Sequence, residues 1–269
     1  MKNNNLAIKL LIKEVKLIPK LYKSFDYSNV HQKYSLTEYL TDILYVNKTG
    51  IAWRDLRSHI NWNSVYRTYR HLLSFGIFKT AYIDLLKKHY KRSRKGKKSF
   101  LLSDTTFIPN KKGHDFIGYN TYYNRKRGTK ISFISLKDGV PINVKCCKGN
   151  KYDSKILADQ LDTKNLIDIS NDNRQIYFLA DPAYDSSAIR SKLKKLNYKP
   201  IIAKNKRNTK DPSKIVKLSK SEIKMYRKRL AIERTFNKIK FNKRLCQRYD
   251  SKIETFVGFI YLALIKLLC

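Results

Sequence analysis

The 269-residue chain has little cysteine, glycine, proline or acid. Its four cysteines, Cys146, Cys147, Cys246 and Cys269, include one adjacent pair and no CxxC spacing. Neither a disulfide framework nor a zinc module is signalled, and a reducing compartment fits. Nine glycines and six prolines beside abundant Lys, Asn, Ile and Tyr point to an A/T-rich source genome and carry no fold information. No long hydrophobic run is present. FVGFIYLALIKLLC at the C-terminus is too short to cross a bilayer comfortably and is expected as a buried final helix. The opening MKNNNLAIKLLIKEVKLIPK interrupts its apolar residues with lysines and lacks a small-residue cleavage site, so a signal peptide is not expected.

Acid is the most consequential shortage. Only 21 Asp and Glu stand against 58 Lys and Arg, a formal charge of +37. A chain that basic repels itself and is best accommodated beside a polyanion. Nucleic acid is the leading partner, ahead of a membrane surface or a ribosome. The hydrophobic share of 42%, with 19 Tyr and 12 Phe, allows a real core and excludes a disordered basic tail.

Four regions are expected along the chain: a basic lead-in over 1–34, a helical module over 35–90, a basic linker over 91–98, and an α/β domain over 99–269. In the module, SLTEYLTDILYV opens with a capping-box pair, Ser35 and Glu38, and places Leu36, Leu40, Ile43 and Leu44 at helical spacing. Gly50 breaks this helix. IAWRDL begins a short second one, NSVYRTYRHLLSFG a third closed by Gly76, and IFKTAYIDLLKKHY a fourth. The set has helix-turn-helix character. KKHYKRSRKGKK, residues 87–98, holds eight Lys or Arg and no acid, and reads as an unpacked linker that touches phosphate.

Beyond it the periodicity changes. SFLLSD, ISFISL, VPINVKCC, IYFLAD and YKPIIA are short buried runs, with a hairpin turn at Lys137-Asp138-Gly139. DSKILADQL, capped by Asp153 or Ser154, and SSAIRSKLKKL are helices between them. A long basic helix, SEIKMYRKRLAIERTFNKIK, precedes the apolar tail. Strands followed by alternating strand and helix predict a mixed α/β sheet covered on both faces.

Two buried runs end in aspartate, at Asp104 and Asp181. Strand ends on one sheet edge are where ligands collect, although either acid alone also suits a helix or turn cap. Asp185 is the better cap candidate, which leaves Asp181 available. Between Tyr226 and Tyr249 stand nine Lys or Arg and a single acid, Glu233. On a continuous helix Tyr226, Arg229, Glu233 and Lys240 share one face, while Ile232, Phe236 and Ile239 form a second, apolar stripe. An ordinary Arg229–Glu233 surface pair explains part of this. Three carboxylates also suit phosphodiester cleavage: two divalent ions held ~3.5–4 Å apart by hard oxygens activate a water and relieve charge on the leaving oxygen.

At these residues the chain resembles the bacterial insertion-sequence DDE transposases. Tyr226, Arg229, Glu233 and Lys240 reproduce their Y-R-E-K signature, within YRKRLAIERTFNKIKFNKRLCQRYD. FLLSDTT around Asp104 and YVNKTGIAWRDLRSHINWNSVYRTYRHLLSFGIF, with Trp53 to Leu56, are similar to the same family. The likeness runs from about residue 36 to 265. It implies an RNase H-like catalytic domain behind a helical N-terminal domain. Asp104, Asp181 and Glu233 would be the catalytic, metal-binding triad for two Mg²⁺ or Mn²⁺ ions. Tyr226, Arg229 and Lys240 would contact the terminal phosphates of the element. The expected partner is double-stranded DNA, both terminal inverted repeats and target, with no membrane involved and a homodimer or larger assembly on DNA. The expected location is cytoplasmic, at the bacterial nucleoid, or nuclear in a eukaryotic or viral host. One departure stands out: where many relatives have Lys-Gly-Tyr after the second aspartate, this chain has Pro182, Ala183 and Tyr184.

Among other basic residues, Arg125, Lys126, Arg127, Lys130 and Arg244 are candidate DNA contacts, against solvated basic turns. His114 and Asp115 are expected as loop residues, Trp53 and Trp62 as core of the helical module, and Cys146 and Cys147 as small strand side chains. Two other readings remain open: an RNase H-like nuclease that cuts without joining, and a domesticated transposase that only binds DNA. A ribosomal protein accounts for the charge but not for the carboxylates.

Overall fold

The computed structural model describes residues 2–25, 33–94, 96–121, 124–169, 172–205 and 218–269. Among them the chain runs through helices α1 (Lys2–Lys16), α2 (Pro19–Lys23), α3 (Leu36–Thr49), α4 (Trp62–Ser74) and α5 (Ile77–Ser93) into strands β1 (Lys98–Pro109), β2 (Gly118–Asn120), β3 (Lys126–Leu136) and β4 (Pro141–Lys148). Then follow α6 (Asp153–Leu161), β5 (Gln175–Ala180), α7 (Ser187–Lys195), β6 (Tyr198–Ile202), α8 (Lys220–Tyr226), α9 (Leu230–Lys240) and α10 (Ile253–Leu268).

Two compact units form. One comprises Met1–His89, Asn110–Asp115 and Lys238–Cys269; the other comprises Tyr90–Pro109 and Phe116–Asn237. The first is helical. Ser35 caps α3 with a reciprocal Glu38 capping box, and Gly50 closes it in the left-handed conformation. IAWRDL forms only a 3₁₀ turn, Trp53–Asp55. The start of α4 is capped by Asn61, two residues before the NSVYRTYRHLLSFG run begins. The residues expected as a lead-in are helical instead: α1 and α2 bury Ala7, Leu11, Val15 and Leu21, whose spacing outweighs the lysines between them. Residues 26–32 of that lead-in lie outside the described residues. As expected, α10 is buried along most of its length. Its Phe259 stacks on Tyr69 of α4, with ring centroids 4.6 Å apart, and Trp53 lies against both rings. Trp62 is half-buried beneath the Arg54 guanidinium.

The second unit is built on a mixed sheet. β1 lies at its centre, antiparallel to β3 and parallel to β5; β6 runs parallel to β5, and β4 pairs antiparallel with the far edge of β3. β2 adds a short antiparallel pairing to β3. The β3–β4 hairpin turns at Gly139, whose φ is +89°. Register decides which helix each face meets. Asp104 pairs with Phe133, and Thr105 with Ser132. Phe133 stacks on Phe236 of α9, centroids 4.7 Å apart, whereas Ser132 donates to Gln160 of α6 at 2.8 Å. Adjacent strand residues point to opposite faces, so α9 and α6 cover opposite faces and Asp104 looks toward α9.

Several expectations change here. The basic run is not an unpacked linker through its length, because α5 continues to Ser93 and buries Tyr90, whose hydroxyl donates to Asp172 at 3.1 Å. Leu86 and Tyr90 extend the buried stripe of α5 by one turn; Lys95 lies outside the described residues. Neither Asp153 nor Ser154 caps α6, and the Asp153 carboxylate takes Lys130 instead. The long basic helix is two helices, α8 and α9, separated by a 3₁₀ turn at Arg227–Arg229.

Candidate active site

Asp104 sits within β1, on the face covered by α9. Asp181 directly follows β5, the parallel neighbour of β1. Glu233 lies in the first turn of α9, which Phe236 anchors to the sheet. These elements bring the three acids around one cation. Arg229 Nη1 is 3.1 Å from Asp104 Oδ2, while its Nη2 is 2.6 Å from Glu233 Oε1 and 3.8 Å from Asp181 Oδ2. The Arg229 side chain is 15% exposed, against 21% for Asp104, 41% for Glu233 and 43% for Asp181. Its guanidinium also lies over the Tyr226 ring, 5.8 Å from the centroid.

Burial pushes the Asp104 carboxyl up to about 6, against the pull of Arg229 and of the Thr105 N–H; the Glu233 and Asp181 charges add to the rise. For Arg229, burial opposes the charge, but Asp104, Tyr226, Glu233 and Asp181 together hold its pKa above the ordinary value. Asp104 accepts from the Thr105 N–H at 2.9 Å, and the Thr105 hydroxyl accepts from the buried Tyr184 at 2.8 Å. This strut from the 3₁₀ turn after Asp181 to β1 was not legible in the sequence; only the presence of Tyr184 in the otherwise divergent Pro-Ala-Tyr stretch hinted at it.

The expected division of labour between Asp181 and Asp185 needs correction. Asp181 caps the turn Pro182–Tyr184, accepting from the Ala183 N–H at 2.9 Å, while still reaching toward Arg229. Ser186, not Asp185, caps α7. Asp185 is buried with Arg190 at 2.8 Å and the Asn205 N–H at 3.1 Å.

The remaining basic candidates divide. Lys126 and Arg127 are exposed at the start of β3, with Arg127 over the Tyr119 ring. Lys130 is buried, donating to Asp153 at 2.7 Å and to the Lys151 carbonyl at 2.9 Å, so its ammonium is committed to the fold. Arg244 is likewise buried, in the helical unit, bonded to Asp250 at 2.9 Å and the Ile51 carbonyl at 3.0 Å. Neither Lys130 nor Arg244 presents the open cation expected of it. Lys240, at the end of α9, is grouped with the helical unit, and burial lowers its pKa. Arg248 was not singled out, yet it is fully buried there and donates to the Asp250, Asp115 and Ser251 carbonyls. Asp115 has the expected loop role, accepting from the Ile253 N–H.

Among the described residues no three His, Cys, Asp or Glu side chains stand close enough together to hold a metal ion as they are. The donor chemistry nevertheless suits one: Asp104, Asp181 and Glu233 supply only hard oxygens, the ligands of Mg²⁺ and Mn²⁺, and a cation already lies among them. Among the described residues no helix is long and apolar enough to cross a membrane.

The profile of the transposase DDE domain family matches residues 95–266, more than half of the chain. Among solved structures, similarity is found to a Mos1 transposase paired-end complex with left transposon end, at 12% identity, covering 87% of this chain and 88% of that one, TM-score 0.28. The catalytic domain of Mos1 mariner transposase matches at 13% identity over 69% and 92% of the two chains, TM-score 0.28. The Mos1 strand transfer complex matches at 12% identity over 83% and 85%, TM-score 0.25. No match is found among curated proteins. On the family match, this chain belongs to the DDE transposases. It is a DNA transposase, of a family that uses divalent metal ions.

Proposed function

We propose that this transposase cuts and joins DNA at the ends of an insertion sequence, with Asp104, Asp181 and Glu233 holding two Mg²⁺ or Mn²⁺ ions. The observation that carries the reading is the convergence of three acids from β1, the end of β5 and α9 on the single guanidinium of Arg229. An isolated surface pair between Arg229 and Glu233 has no need of Asp104, 125 residues away. The strand order β4-β3-β1-β5-β6, three antiparallel strands followed by two parallel ones, supports an RNase H-like catalytic domain. Bound ions would supply charge neutralisation and an activated water. Asp104 and Asp181 would each offer an oxygen fixed by a neighbouring N–H. Tyr226, Arg229 and Lys240 would contact terminal phosphates, and exposed Lys126 and Arg127 the DNA backbone. Helices within 35–90 would take part in recognising the terminal inverted repeats, with the protein acting as a homodimer or larger assembly.

The test replaces each acid singly by its amide, Asp104→Asn, Asp181→Asn and Glu233→Gln, and maps nicks and joined products on DNA flanking the gene. Each variant is expected to lose cleavage and strand transfer while keeping DNA affinity equal or slightly higher, since an acid near phosphate has been removed. A folded variant that still nicks the ends removes that residue from the triad.

A further inference from the structure

We infer that Arg229 is a placeholder cation: without DNA its guanidinium occupies the place among Asp104, Asp181 and Glu233 that a divalent ion takes, so metal loading requires it to move. The inference rests on the metal-site reading above and adds a competitor to it. Arg229 meets Asp104 through one terminal nitrogen and Glu233 through the other, with Asp181 at 3.8 Å. A guanidinium so engaged satisfies the same oxygens that a metal would need. It also repels an incoming dication within a partly buried, weakly screened site. The two cations therefore exclude one another.

Leaving the site empty of both is unfavourable. Three carboxylates from β1, the β5 end and α9 face the same small space, where their like charges repel one another. One cation or the other offsets that repulsion. Arg229 is placed to serve as the removable one. It ends the 3₁₀ turn between α8 and α9, where helical hydrogen bonding tightens from the i→i−4 to the i→i−3 pattern, a feature that often marks a hinge. The Tyr226 ring offers a second surface for its planar head group. Its competing ligand is a DNA phosphate, which a guanidinium binds through two parallel hydrogen bonds. Phosphate binding by Arg229 then vacates the acids, and metal and DNA favour each other's binding reciprocally. Such coupling would restrict metal loading to protein already on DNA.

The experiment measures Mn²⁺ affinity of the DNA-free full chain by titration calorimetry and by the electron paramagnetic resonance of free Mn²⁺. Wild type, Arg229→Gln and Asp104→Asn are compared at neutral pH. The expected result is Mn²⁺ binding about tenfold or more tighter in Arg229→Gln than in wild type, reflecting loss of charged hydrogen bonds that compete with the ion. Equal or weaker binding in a folded Arg229→Gln protein, with Asp104→Asn abolishing what binding there is, overturns the placeholder alone: the acids hold metal and Arg229 merely orients them. Undiminished binding in Asp104→Asn overturns the metal-site reading itself, and the placeholder with it. Should Arg229→Gln fail to fold, the wild type decides through the Arg229 side-chain N–H resonance on Mg²⁺ titration. It is expected to shift away from its carboxylate-bonded position; an unmoved resonance at Mg²⁺ saturation overturns the inference.

Discussion

Asp104 carries opposing demands in one side chain. Its position within β1 buries it enough to push its pKa up to about 6, while Arg229 and the Thr105 N–H pull the other way. In the unfolded chain the same carboxyl titrates near its ordinary 3.8. As pH rises between these values the unfolded chain releases its proton first, so the native state loses stability through that window and does not recover it above about 6. Asp104→Asn has no such titration. In metal-free buffer the difference in unfolding free energy is expected to move toward the variant by about 1–2 kcal/mol between pH 4 and pH 7, allowing for partial solvent screening. Urea titrations at the two pH values with a chelator present check this; a shift toward the wild type would mean that the Arg229 pair outweighs burial. A second comparison separates two acids four residues apart. Asp181→Asn keeps an amide oxygen for the Ala183 N–H and is expected to leave the melting temperature nearly unchanged while abolishing Mn²⁺ binding. Asp185→Asn breaks a buried pair with Arg190 and is expected to cost about 2 kcal/mol, with metal affinity retained. Calorimetry on both variants reads the two effects together. The sequence singled out both aspartates but assigned the cap to the wrong one, because capping depends on backbone torsions that a strand-end position does not specify.

At the scale of elements, α9 is the part whose placement matters most, and its contacts come from far along the chain. The stripe of Ile232, Phe236 and Ile239 was legible from spacing, and all three are buried. What the stripe could not reveal is its docking partner. Phe133 of β3 stacks on Phe236, and the turn at Gly139 comes so close to α9 that a Cβ there would run into the Ala231 carbonyl oxygen and the Thr235 hydroxyl. Gly139 also holds a φ of +89°, which disfavours any side chain. Gly139→Ala is therefore expected to lower stability by about 2 kcal/mol or more and to displace Glu233, weakening Mn²⁺ binding although no ligand is touched. Thermal melts and Mn²⁺ titration check it, and unchanged values for both would mean that α9 shifts without cost. The break between α8 and α9 was hidden for a related reason. YRKRLAIERT lacks glycine and proline, so local propensity favours one continuous helix. The 3₁₀ turn is where Arg229 meets acids from two strands, contacts that propensity does not include.

Across the whole molecule, the units do not follow the linear order expected of a helical module and a following α/β domain. Residues 238–269 join the helical unit, where α10 supplies a large share of the apolar core. A fragment of residues 35–90 alone leaves Tyr69 and Trp53 without Phe259 and exposes the surfaces that α10 covers. It is expected to show no cooperative thermal unfolding by circular dichroism; a sharp transition in the isolated fragment would show that α10 is dispensable.

The sequence by itself determined a great deal: the excess of positive charge, helices α3 to α7, strands β1 and β3 to β6, the α3 capping box, the hairpin at Gly139, and three acids that stand out from a basic background. Each of these depends on composition or on neighbours within a few residues. Tertiary structure alone decided that α1 folds into a core, that Lys130 and Arg244 serve the fold, and that Arg229 links Asp104, Asp181 and Glu233. A lysine in a basic strand reads the same whether it faces solvent or a carboxylate from a distant helix, and only packing brings the partner. The acids were legible one at a time. Their meeting around a single guanidinium depended on strand register and on the docking of α9, which residues far apart in sequence set together.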